Sequence, residues 1–161
     1  MFRAEFVRAL GAVFESSPWI AEQAWGSRPF ASVGALHEAM TSVVSRAPRA
    51  EQLALLGAHP DLAGKAARAG TMGADSVAEQ ASAGLDQLSD EEYERFNRLN
   101  RAYRERFGFP FIIAVRRHDR AGILAAFEHR LSHDIDREVD AALAQVFDIT
   151  RLRLARLVIG P

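Results

Sequence analysis

Apolar residues recur along this chain at the three- and four-residue spacing of helices from one end to the other. Phe2, Phe6, Leu10, Val13 and Phe14 form one such stripe, so the chain opens with a predicted amphipathic helix. Ser17-Pro18 reads as a helix cap followed by proline in the first turn, with Trp19, Ile20 and Trp25 behind it. Leu36, Met40, Val43 and Val44 mark a third helix. A fourth starts at Pro48, carries Leu53, Leu55 and Leu56, and stops at Gly57-Ala58-His59, because the residue before Pro60 is pushed away from helical dihedrals.

Residues 61–75 are rich in Gly and Ala and weakly periodic, which predicts a loop with a helical turn inside it. Ser76-Val77-Ala78-Glu79 and Ser89-Asp90-Glu91-Glu92 both match the capping-box pattern. The second precedes a helix carrying Tyr93, Phe96, Leu99, Asn100, Tyr103 and Phe107, closed by Gly108. Residues 109–115 form a short apolar run, read as a buried extended segment. A helix is predicted over about 119–131 and a long one over about 134–158. With no internal repeat, low-complexity tract or linker, the expectation is an all-α fold: one compact multi-helix domain over residues 1–161.

Composition narrows the function classes. Of 161 residues, 48% are hydrophobic and 25% charged, as in an ordinary globular domain and unlike a disordered chain. Twenty Lys and Arg against 21 Asp and Glu give a formal net charge of −1, so no basic excess points to nucleic acid. Cysteine is absent, which excludes disulfides, thiolate catalysis and Cys-ligated zinc. No apolar run approaches the roughly 20 residues needed to span a bilayer. The first residues lack a signal-peptide pattern, and Ile159-Gly160-Pro161 is not a peroxisomal address, so a cytoplasmic location is expected. There is no P-loop, dinucleotide fingerprint or nucleophile elbow, and nothing suggests a built-in cofactor.

Three positions fit a purely structural reading poorly. His59 stands in a His-Pro step after a helix end, where the negative end of the helix favours a protonated imidazole; a polar C-cap is the plain alternative. Glu79 is either the last residue of a capping box or a carboxylate that orients an imidazole. Arg153 falls on the core-facing stripe Val139, Leu143, Val146, Thr150, Arg153, Leu157, while Arg151 and Arg156 can point elsewhere. A guanidinium there needs an anionic partner, whether a substrate or an internal acid, unless it snorkels to solvent. His129 and His133 have the spacing of helical metal ligands, but Ser132 marks a break and no third ligand is evident. His37 has no partner in reach by sequence, and His118-Asp119 and His133-Asp134 read as loop residues leading into caps.

Four blocks in order carry a resemblance over nearly the whole chain. They are Trp25 with Arg28-Pro29-Phe30, His59-Pro60-Asp61-Leu62-Ala63-Gly64, Ser76-Val77-Ala78-Glu79-Gln80, and Arg98-Leu99-Asn100 through Tyr103 to Phe107-Gly108-Phe109-Pro110-Phe111-Ile112. Together they resemble the 2-oxo-4-hydroxy-4-carboxy-5-ureidoimidazoline (OHCU) decarboxylase family. The resemblance implies a carboxy-lyase of urate catabolism that yields (S)-allantoin, all-helical, homodimeric, and free of metal or organic cofactor. It implies that His59 is the acid/base and Glu79 its partner. It further implies that Pro60, Ser76, Val77, Ala78, Glu79, Gln80, Phe111, Ile112, Ile113, Ala114, Val115 and Arg153 line the substrate. Departures are small: Ala58 stands where some relatives have cysteine, and Ala78 where others carry a second acid.

Two other readings compete. One is a non-catalytic helical interaction domain, with His59 as a cap and Arg153 paired internally. The other is a metal hydrolase built from His59, Asp61 and the His129/His133 pair. Neither accounts for the composition of residues 107–112.

Overall fold

A computed structural model describes residues 2–64 and 70–159. The described residues form helices and connecting turns with no strand. The helices are α1 (Arg3–Leu10), α2 (Trp19–Ala24), α3 (Val33–Arg46), α4 (Arg49–Gly57), α5 (Ala74–Ser82), α6 (Asp90–Phe107), α7 (Arg120–Arg130) and α8 (Ile135–Ile159). Short 3-10 turns cover Trp25–Ser27 and Val115–Arg117. The central part of the loop turn expected within residues 61–75 lies outside the described residues.

The chain divides into two compact units, one of Met1–Ala58 with Val146–Pro161, the other of His59–Gln145. In the first, α1 packs on α2 and α2 on α3. Phe14, Ile20, Met40, Leu55, Leu56 and Leu154 are its most deeply buried large apolar side chains. Each such residue contributes on the order of 2 kcal/mol by leaving water. Gln52 of α4 donates to the Val44 carbonyl at 2.9 Å, tying α4 to α3. His37 is buried, with Nε2 3.0 Å from Thr150 Oγ1, a partner 113 positions away that spacing could not supply.

Three local expectations change here. Phe2 is 80% exposed, because it precedes α1 and serves as its cap position instead of extending its stripe. α1 also ends at Leu10, so Val13 and Phe14 reach the core from the following turn. Ser17 does not cap α2: its hydroxyl donates back to the Glu15 carbonyl at 2.7 Å, and Pro18 takes the cap position. Arg28-Pro29 is cis, and the Arg28 guanidinium lies 3.5 Å from the centre of the Trp25 ring.

The second unit is built around aromatic rings. Phe111 and Phe127 stack at 3.8 Å, and Tyr103 meets Phe109 and Phe111 edge-on. α6 starts with the capping box expected of Ser89 and Glu92 and ends at Gly108, whose φ of 84° is the left-handed conformation that glycine adopts without steric penalty. Asp119 and Asp134 accept from the backbone N–H three residues on, at the starts of α7 and α8. The apolar run behaves differently from a strand. Residues 110–114 join no regular element, although Phe109 to Val115 are all buried. Among the described residues no strand pairs with them, and the Ile112 carbonyl and the Ala114 N–H bond side chains instead.

Candidate active site

His59 lies two residues past α4 and is 6% exposed. The turn that follows it is fastened from two helices. The Gln80 side chain, on α5, accepts from Ala63 N–H at 2.8 Å and donates to the Asp61 carbonyl at 3.2 Å. Asn100 of α6 donates to the Leu62 carbonyl at 2.8 Å, and one turn on, Arg104 Nε donates to Asp61 Oδ1 at 3.0 Å. Ala63 sits at φ 51°, and a Cβ on Gly64 would stand 2.9 Å from Asp61 Cβ. The Asp-Leu-Ala-Gly sequence behind His59-Pro60 is thus a tight turn that needs its small residues.

α5 corrects one expectation. It begins at Ala74 with Gly73 as its cap, so Ser76 is a helical residue and not an N-cap. The Ser-x-x-Glu pattern therefore makes no capping box here, and Glu79 stands inside the helix. Four residues apart, Ser76 and Gln80 share the buried face; Ala78 and Glu79 are half-buried, and Val77 is 46% exposed. α5 packs against the 3-10 turn Val115–Arg117, which brings the helix beside the end of the 111–115 segment. A cavity of about 370 Å³ borders Ala63, Val77, Gln80 and Tyr93. Neither His59 nor residues 111–115 line it.

Within the 111–115 segment, Ala114 N–H donates to Gln145 Oε1 at 2.9 Å, and the Ile112 carbonyl accepts from Arg130 Nη1 at 2.5 Å. Arg130 is held by Glu138, a carboxylate with no exposure, through Nε to Oε1 at 2.6 Å. Its guanidinium also lies 4.4 Å from the centre of the Phe111 ring. Tyr103 donates a short hydrogen bond to the same Glu138 oxygen, and His133 Nδ1 lies 3.0 Å from the other. Burial first, and then the adjacent carboxylate, push the Tyr103 hydroxyl far above its usual range, so it stays a donor. Sequence reasoning missed this cluster. The available signal was Arg130 on the apolar face of α7, three residues after Phe127 and seven after Ile123.

Arg153 belongs to the first unit and is 6% exposed, on the buried side of α8 as its spacing predicts; Leu157, at 54%, is not. Its Nη2 meets Glu15 Oε1 at 2.9 Å and its Nη1 donates to the Val13 carbonyl at 3.2 Å. His129 and His133 face each other edge-on at 5.0 Å. Among the described residues, no group of three His, Asp or Glu side chains is placed to hold a metal ion.

Residues 1–155 match the family model described as OHCU decarboxylase. The 2-oxo-4-hydroxy-4-carboxy-5-ureidoimidazoline decarboxylase of Haloferax volcanii is 51% identical over 150 residues, covering 93% of this chain and 87% of that protein. A crystal structure of (S)-allantoin synthase superposes with a TM-score of 0.75 at 34% identity, over 98% of this chain and 51% of that one. A crystal structure of OHCU decarboxylase in the presence of (S)-allantoin shares the fold, with a TM-score of 0.74 at 22% identity and 98% of its length covered. This chain belongs to the OHCU decarboxylase family.

Proposed function

We propose that this chain decarboxylates 2-oxo-4-hydroxy-4-carboxy-5-ureidoimidazoline to (S)-allantoin in urate degradation, without metal or organic cofactor and as a homodimer in the cytoplasm. The observation that carries the reading is the family match over residues 1–155, which includes His59 and both segments expected to line the substrate. In the reaction the C–C bond to the carboxylate breaks, carbon dioxide leaves, and the electron pair delocalises into the adjacent unsaturated ring. No external electron sink is then required. The remaining needs are a positioned proton donor and hydrogen bonds that fix the ring. His59, on its fastened turn, supplies the proton to one face and so sets the stereochemistry. Glu79 orients the imidazole or the substrate hydroxyl. Pro60, Ser76 to Gln80 and Phe111 to Val115 form the walls.

Arg153 has two readings. The resemblance makes it the anchor of the substrate's anion, whereas its bonds to Glu15 and Val13 favour an internal ion pair. Freshly generated substrate added to the protein should yield (S)-allantoin, followed by circular dichroism, faster than the spontaneous reaction. A rate equal to the spontaneous one would remove the proposed activity.

A further inference from the structure

The segment Phe111 to Val115 has no helix or strand to set the direction of its peptide groups, yet two side chains set it. Arg130 holds the Ile112 carbonyl, and Gln145 holds the Ala114 N–H. In a trans peptide unit the C=O and N–H point in opposite directions. The bond from Arg130 therefore turns the Ile113 N–H away from Arg130. The bond to Gln145 likewise turns the Ile113 carbonyl away from Gln145. Ile113 is 4% exposed, and no described residue bonds its N–H or its carbonyl. Its neighbours' carbonyls are occupied, Ala114 by Arg117 N–H at 2.9 Å and Val115 by His118 N–H at 3.0 Å. Buried backbone groups require partners. A donor and an acceptor on one residue match a ligand edge carrying N–H beside C=O, as ureido and cyclic amide groups do.

We propose that Arg130 and Gln145 are positioning residues for substrate recognition, holding Ile113 so that its N–H and carbonyl read such an edge. This rests on the reading that residues 111–115 line the substrate. Glu138 fixes Arg130, and α8 carries Glu138 and Gln145 seven residues apart, two turns along one face. One helix face thus sets both grips, the first through Arg130 and the second directly.

Removing Arg130 would strand the buried Glu138 carboxylate and endanger folding, so the grip at Ala114 is the one to test. Gln145→Met keeps the length of the side chain and loses the acceptor; Gln145→Glu keeps an acceptor. An edge read alike in ground and transition states affects KM and not kcat. Gln145→Met is expected to raise KM about tenfold, the worth of roughly one hydrogen bond, with kcat within twofold. Gln145→Glu is expected to restore most of the affinity. A wild-type KM in Gln145→Met, equal impairment of both variants, or a loss confined to kcat that follows the melting temperature would each overturn the inference while the activity stands. A wild-type protein that forms no (S)-allantoin would instead overturn the functional reading, and the inference with it.

Discussion

The Gln80 amide spans the turn behind His59, accepting from Ala63 N–H and donating to the Asp61 carbonyl. Gln80 sits on the buried face of α5, so the helix that carries Glu79 also holds the backbone next to the imidazole. Replacing Gln80 with leucine leaves a buried N–H and a half-buried carbonyl without their partner. The expected result is a stability loss of about 1–3 kcal/mol and reduced activity. Chemical denaturation checks the first and allantoin formation the second; unchanged stability would mean the turn holds without Gln80.

His59→Asn retains the size and polarity of the side chain but cannot carry a proton between solvent and substrate. The expected loss is about 10²–10⁴-fold in rate, with a melting temperature close to wild type. Near-normal turnover by a folded variant would take acid/base work away from His59.

Glu79→Gln gives a cleaner test than the sequence pattern implied. Because Gly73 is the cap position of α5, Glu79 is an interior helical residue and not part of a capping box, and the stability change should stay within about 1 kcal/mol. A large rate loss at that stability identifies a carboxylate whose charge matters. Full activity would leave Glu79 as a surface-proximal helical residue.

Arg153→Lys separates the two readings of the buried guanidinium. Lysine keeps the charge beside Glu15 but loses the planar fork that reaches Glu15 and the Val13 carbonyl together. With both bonds made inside the protein, the expected outcome is early melting with near-normal kinetics. A raised KM at a melting temperature close to wild type would instead give Arg153 the substrate's anion.

Stability should also depend on pH through His37. Burial first, and then Arg151, lower its pKa from 6.5, so the unfolded chain binds the proton more readily than the folded one. The contribution is therefore full above about pH 6.5 and lost as pH falls towards the lowered value, with a slope of at most about 1.4 kcal/mol per pH unit. Unfolding free energies between pH 7.5 and 5 should fall more steeply for wild type than for His37→Asn. Equal slopes would assign the acid sensitivity elsewhere.

Local rules made much of the helical scaffold legible. The Ser89 box, the left-handed Gly108 and the Asp119 and Asp134 caps each depend on residues within four positions, and each was readable. The Ser76 pattern misled because Ser-x-x-Glu says nothing about where the chain turns, and Gly73 had already started α5. Contacts across 17, 38 and 43 positions, those of Gln80, Asn100 and Arg104 with the turn behind His59, leave no periodic trace. Arg153 stands out as a cation on an apolar stripe, whereas Arg130 is the last residue of α7, where a base is ordinary. The family blocks named candidate residues; the bonds that hold the turn behind His59 came only with the fold.

The left-handed alanine at position 63 bears on how ready the site is before any ligand arrives. An L-residue at φ 51° is disfavoured by about 1–2 kcal/mol, and it persists where its surroundings over-determine it. Here the amide of Gln80, with Asn100 and Arg104 on the adjoining residues, does so. The energy of that backbone conformation is supplied once, when the chain folds. If His59 acts as proposed, the backbone behind it is already set before a substrate arrives, and that turn has little reorganisation left to undergo.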